Sequence, residues 1–225
     1  MCEKKRLLEN SVAWGVVPAL LLGLAASVPV QAGDLYAGVS YGNSKMTDNS
    51  ACGAMRNVLN AGYSCTSSDN KDNVWKLTGG YTLMENLAFE FSYNNFGKIK
   101  ASASGTAKGS ATSVTANSDF KARGLSFAAI GILPVTKAFA VTGKVGILRW
   151  NVESTASTSS GSSVTAKDTK PGFTFDNIGV GFKYGINESM DVRVEWERFK
   201  DVGDAHITGQ GDIDVLSLGL MYKFK

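Results

Sequence analysis

The chain has one histidine, His206, and it stands two residues after Asp204 in the run Gly-Asp-Ala-His. An imidazole beside a carboxylate, with serine and threonine abundant nearby, is the minimum for general-base attack on an ester or a peptide. The pattern goes no further. No histidines or cysteines pair at a metal-ligand spacing, and no phosphate-binding loop is present. The run Gly-Val-Gly-Phe-Lys-Tyr-Gly, residues 179–185, reads as strand glycines. His206 is expected to be an ordinary loop residue, in a protein that is not an enzyme and needs no cofactor and no metal.

A second set of residues is suited to ion pairing. Lys76, Lys144, Lys183, Arg193 and Lys223 are its bases, and Glu90, Asp191, Glu195 and Glu197 its acids. Each sits among apolar neighbours, as Glu90 does in Leu-Ala-Phe-Glu-Phe-Ser-Tyr, residues 87–93. A carboxylate in apolar surroundings is costly unless it is paired. The positions between the apolar ones are small or polar, which is the period of a strand with two unlike faces.

Eight segments share this alternation. One face carries Leu35-Ala37-Val39-Tyr41, Trp75-Leu77-Gly79-Tyr81, Leu87-Phe89-Phe91-Tyr93 and Leu125-Phe127-Ala129-Gly131-Leu133. The same face continues with Phe139-Val141-Gly143-Val145-Ile147, Ile178-Val180-Phe182-Tyr184, Met190-Val192-Val194-Trp196 and Leu216-Leu218-Leu220-Tyr222-Phe224. None of these positions is charged, and the interleaved positions hold every charge the segments have.

A soluble sandwich alternates too, so three further features decide what each face touches. The chain opens with Lys4, Lys5 and Arg6, an apolar run over 12–30, and the small-x-small site Val30-Gln31-Ala32. That is a secretory signal, expected to be cleaved after Ala32; Pro18 and Pro29 argue against a retained anchor. The connections alternate short (82–86, 134–138, 185–189) and long, as in an outer-membrane barrel with short periplasmic turns and long extracellular loops. Aromatics mark both ends of the apolar face: Tyr81, Tyr184, Tyr222 and Phe224 by the turns, Trp75, Tyr93 and Trp196 by the loops.

The expected fold is all-β: an eight-stranded antiparallel up-and-down transmembrane β-barrel over 33–225, preceded by the signal peptide 1–32. Strands of about ten residues span the bilayer at a tilt, and closure leaves no edge in lipid. Long side chains fill so narrow a barrel. Glu90 and Arg193, on the third and seventh segments, should then meet across it. The loops over 97–118 and 153–172 keep a Thr/Val/Ala alternation that suits either continued hairpins or mobile segments. Cys52 and Cys65 lie in the first loop, and an oxidising compartment favours a bridge between them. The net charge of +3 is too small to argue for nucleic acid.

The residues over 200–225, Lys-Asp-Val-Gly-Asp-Ala-His through Leu-Ser-Leu-Gly to Tyr-Lys-Phe-Lys, resemble the fourth loop and last strand of the outer membrane protein A barrel family. Residues 79–93 and 192–199 resemble its second turn with the following strand, and its seventh strand. The resemblance implies a barrel domain in the outer membrane of a Gram-negative bacterium. It covers no peptidoglycan-binding domain. It implies that Glu90 and Arg193 stand at the central acid and base of a lumenal network. Two positions depart from the family pattern: Ile130 stands where lysine is usual, and Lys183 where glutamate is usual. The expected role is structural, with narrow ion or small-solute passage gated by the Glu90–Arg193 pair. The alternative is surface adhesion or reception through the loops, and lipid or peptide modification ranks last. Expected partners are outer-membrane lipid and lipopolysaccharide, periplasmic chaperones, the barrel-assembly machinery, and host or phage contacts at the loops.

Overall fold

The computed structural model describes residues 33–46, 59–60, 64–69, 71–106, 109, 111–158, 165–204 and 209–224. The signal segment, Cys52 and His206 lie outside the described residues, as does the side chain of Cys65. The described chain is built of strands: β1 (Leu35–Met46), β2 (Ser64–Asp69), β3 (Lys71–Met84), β4 (Leu87–Thr106), β5 (Ser113–Pro134), β6 (Phe139–Thr158), β7 (Thr165–Gly185), β8 (Met190–Asp204) and β9 (Gly209–Phe224).

Eight of these close on themselves. Going round, the order is β1, β9, β8, β7, β6, β5, β4, β3 and back to β1, every pair antiparallel. The ninth, β2, lies outside this ring and pairs only with the outer part of β4, from Ser64 opposite Ser104 to Asp69 opposite Lys100. Closure gives every spanning strand two partners, which open sheets in hydrocarbon lack.

The period-two pattern maps onto the two faces of the wall as expected. Val39, Leu77, Phe91, Val145, Val180 and Leu218 are exposed on the outside, while Ser40, Thr78, Glu90, Ser92, Lys144 and Ser217 are buried within. The outward apolar surface is the surface that lipid covers. Aromatic contacts mark both ends of the apolar band: Trp75 and Tyr93 lie 5.3 Å apart at the loop end, Tyr222 and Phe224 5.1 Å apart at the turn end.

The turns are tight for local reasons. Only Glu85 and Asn86 separate β3 from β4, and the Asn86 amide donates to the Ile132 carbonyl at 2.9 Å. The Thr136 hydroxyl accepts from the Phe139 backbone at 3.0 Å, and the Asn187 side chain accepts from the Ser189 backbone at 2.9 Å.

The strands are longer than the expected ten residues, reaching 22 in β5. Their outer halves run beyond the apolar band as paired hairpins. β4 and β5 stay paired out to Thr106 opposite Ser113, and β6 and β7 out to Ser157 opposite Thr165. Much of 97–118 and 153–172 is therefore hairpin. Three bulges mark the passage into this outer half, each adding one residue: between Asn95 and Lys98 in β4, Thr174 and Asn177 in β7, and Phe199 and Val202 in β8. An extra residue reverses which side chains face inward beyond it.

Candidate functional site

The lumen is filled in two layers. The inner layer is ionic. Arg193 on β8 pairs with Oε1 of Glu90 on β4, and the Tyr36 hydroxyl on β1 donates to the same oxygen at 2.8 Å. Lys144 on β6 stands 3.0 Å from the other oxygen of Glu90, 3.3 Å from Glu195 and 3.1 Å from Glu197. Lys76 on β3 reaches Glu195 at 2.8 Å and Glu197 at 2.5 Å. The Arg193 guanidinium also lies 4.9 Å from the centre of the Tyr36 ring.

Three bases meet three acids, so the buried cluster is neutral by count. All six side chains are at most about one-twentieth exposed. Ions buried this deeply are tolerable only when paired and hydrogen-bonded. β4 and β8 stand four strands apart in either direction round the barrel, which is why Glu90 and Arg193 can meet across it.

Two glycines make the long reaches possible. Gly80 lies in register between Tyr36 and Glu90, and a Cβ there would fall 2.2 Å from the tyrosine ring. The missing side chain lets Tyr36 lie across β3 to reach Glu90. Gly179 lies likewise between Lys144 and Glu197, and its Cβ would meet Glu197 Cγ at 3.0 Å.

Six of the eight candidate lumen residues belong to this cluster: Lys76, Glu90, Lys144, Arg193, Glu195 and Glu197. The other two, Lys183 and Asp191, do not join it. Asp191 lies at the turn end, 3.1 Å from Lys223 and 3.9 Å from Lys183. Both lysines there are partly exposed, so the one surplus base among these residues sits where water reaches. Ile130, at the position where lysine is usual in the resembled family, is 1% exposed and packs with Tyr36, Ala88 and Ala128.

Sequence reasoning missed Tyr36. Its place on the polar side of β1, opposite a glycine, was the available signal. It also missed the second layer. Beyond the ions, the outer half of the barrel is closed by buried apolar side chains, among them Phe96, Phe120, Leu148, Trp150, Phe199 and Ile213. Phe96 and Phe199 meet edge to face at 4.9 Å between ring centres. Leu59, from the first loop, is buried in the same cluster, and its neighbour Asn60 donates a backbone hydrogen bond to Thr106 at 2.9 Å.

A family model described as an OmpA-like transmembrane domain matches residues 30–225. Outer membrane protein A of Escherichia coli O157:H7 is 28% identical over 147 residues, 65% of this chain and 38% of that protein. Outer membrane protein A of Salmonella typhi is 26% identical over 147 residues, with the same coverage. The chain thus spans well under half the length of these relatives. The crystal structure of the outer membrane protein OprG from Pseudomonas aeruginosa superposes with a TM-score of 0.48 at 14% identity, covering 87% of this chain and 97% of that one.

Proposed function

The chain belongs to the family of OmpA-like transmembrane domains and is an outer-membrane β-barrel, and from that premise we propose that it is a closed structural barrel that holds polar hairpins above the cell surface. The observation that carries this reading is the two-layer filling of the lumen. An ion crossing the barrel would have to pass the neutral cluster and then the apolar layer around Phe96, Phe120 and Phe199. A dry apolar constriction opposes ions more strongly than paired charges do.

Glu90 supports the same reading. A gate needs an anion that exchanges one cation for another. Here Glu90 holds Arg193 on one oxygen and Lys144 on the other at the same time. In this reading the Glu90–Arg193 pair specifies and stiffens the barrel and does not gate a pore.

Planar-bilayer recording of the refolded protein and of Arg193→Ala tests it. Silence in both is expected, because the apolar layer remains closed when the ion layer is cut. Reproducible channels that grow in Arg193→Ala would instead make the pair a gate and the protein a narrow porin.

The length of the outer hairpins favours a second role, contact with other cells or particles. β4 and β5 carry a polar ladder well beyond the apolar band, with Ser102 bonded to Asn117 at 2.9 Å. Deletion of 100–117 with the barrel intact would abolish such adhesion. Lipid or peptide modification has less support, since Asp204, the residue closest in sequence to His206 with a carboxylate, lies 3.7 Å from Lys170.

A further inference from the structure

Above the apolar band the tall hairpins form one sheet, β2, β4, β5, β6 and β7, and that sheet has two side edges. The chain covers the first edge itself, since β2 adds six residues along the outer part of β4. The other edge is β7. It pairs with β6 out to Thr165 opposite Ser157, whereas its pairing with β8 stops at Asn177 opposite Phe199. Residues 165–176 therefore have a ladder on one side alone among the described residues. An uncovered edge of this length is a template for another strand.

Pro171 shows which backbone groups this edge offers. It stands opposite Asn151 of β6, and a proline is tolerated in a paired strand where its missing N–H points away from the partner. Thr169 and Phe173 flank it in unbroken register, so by the alternation of an antiparallel ladder their N–H and C=O groups face the open side too. The outward side chains here differ from those on the neighbouring strand. β6 presents Arg149, Asn151 and Glu153 at this height, while β7 presents Pro171, Phe173 and Phe175. The two phenylalanines are 48% and 78% exposed, with ring centres 4.8 Å apart. On the inner face the Trp150 indole lies over Gly172, where a Cβ would fall 2.1 Å from its ring. Trp150 is buried, and its Nε1–H has no acceptor among the described residues. At the foot of the open edge the buried Asn177 amide has no partner at either end.

We propose that the open edge of β7 takes up an extended segment of another protein as an added antiparallel strand. The segment carries apolar side chains on its outer face and serine, asparagine or glutamine on its inner face. Main-chain hydrogen bonds to Thr169 and Phe173, and to the Pro171 carbonyl, hold it in place. Its outer side chains meet Phe173 and Phe175 as cross-strand neighbours. Its inner side chains offer an acceptor to Trp150 Nε1 and both a donor and an acceptor to the Asn177 amide. A second copy of this chain fits the edge less well. Two barrels in one membrane present their β7 strands parallel, which sets Lys170 beside Lys170, and each strand lacks the Pro171 donor. The inference rests on the hairpins standing above the cell surface and holds whether or not the lumen conducts. Deletion of 100–117 leaves the β6–β7 hairpin in place, so loss of adhesion there and loss of strand uptake here are separate results.

Titration of a fluorescent peptide, Ser-Val-Asn-Phe-Ser-Val-Asn-Phe-Ser, against the detergent-solubilised full chain tests it. The same peptide N-methylated at its valines and phenylalanines, and a scrambled peptide of equal composition, are measured beside it. N-methylation is expected to weaken binding at least about tenfold, since each main-chain hydrogen bond is worth roughly a factor of five. Scrambling should weaken it at least as much, because the alternation is lost. Thr169→Pro removes one more edge N–H and none from the β6 ladder, and should weaken the parent peptide about fivefold. Equal affinity for the N-methylated or the scrambled peptide, or unchanged affinity in Thr169→Pro, would overturn the proposal. A dimer of the protein that the peptide dissociates would also overturn it and assign the edge to a second copy. Circular dichroism confirms the barrel, and if Thr169→Pro does not fold, the N-methyl comparison on the unaltered chain still decides.

Discussion

Tyr36 reaches Glu90 over the bare backbone of Gly80: the hydroxyl donates to the carboxylate at 2.8 Å, and the ring fills the space a Cβ on Gly80 would take. Three neighbouring strands thus contribute one hydrogen bond through a glycine. Gly80→Ala should force Tyr36 aside and destabilise the barrel by roughly 1–3 kcal/mol, the usual cost of overpacking. Tyr36→Phe keeps the ring and removes a hydrogen bond to a charged acceptor, for about 2 kcal/mol. In the double variant the two losses should not add, because both break the same contact. Urea unfolding of the barrel in lipid vesicles reads all three. Additive losses would mean that Gly80 matters for some reason other than Tyr36.

The ion layer makes a second prediction through its charge count. Glu90→Gln leaves three bases facing two acids in a buried site, and should cost about 3–5 kcal/mol. Adding Arg193→Gln restores two bases facing two acids, Lys76 and Lys144 with Glu195 and Glu197. The double variant should therefore be more stable than the sum of the single losses predicts. A double-mutant cycle with no coupling would show that Lys144 alone satisfies Glu90 and that Arg193 is incidental.

How much of this was legible in the sequence depends on the layer. The spanning half was readable because one face must avoid charge in lipid, so alternation from Leu87 to Tyr93 already assigned Glu90 to the lumen. The pairing of Glu90 with Arg193 followed from their equal height above the turns, from strands four apart in a barrel of eight, and from the family resemblance. The outer half was not readable. Its strands face water outside and apolar side chains inside, so polar residues such as Ser102 and Asn117 mask Phe120 and Trp150 between them. The bulges hid it further. Lys98 shares its parity with Glu90 in the sequence, yet the residue inserted at Gly97 sends it to the opposite face. A period-two reading has no way to register one extra residue. Tyr36 was overlooked because an aromatic beside Leu35 and Ala37 resembles the lipid face until its partner Gly80 is seen.

The first 32 residues carry a prediction independent of the barrel. Lys4, Lys5, Arg6, the apolar run and Val30-Gln31-Ala32 lead to an exported chain beginning at Gly33. N-terminal sequencing of the protein from outer membranes should begin at Gly33, and peptide mapping should find Cys52 and Cys65 oxidised. An N-terminus at Met1 would indicate a retained anchor, and two alkylatable thiols would rule out a Cys52–Cys65 bridge.

In the proposed reading the two layers of the lumen act as separate barriers, and conductance should reveal this. Phe199→Ala removes the ring that meets Phe96 edge to face and should cost about 3–5 kcal/mol, the loss for a buried phenylalanine. It should not conduct by itself, because the neutral cluster from Tyr36 to Glu197 still spans the inner barrel. Glu90→Gln with Arg193→Gln loosens that cluster but leaves the apolar layer dry, and should be silent too. Only the combination with Phe199→Ala should yield small steady channels in a planar bilayer. Barriers in series predict this, since opening one leaves the other in control. If Phe199→Ala alone conducts, the ion cluster is permeable and the apolar layer is the whole seal. If Glu90→Gln with Arg193→Gln alone conducts, the apolar layer is wet and the ion cluster is what closes the barrel.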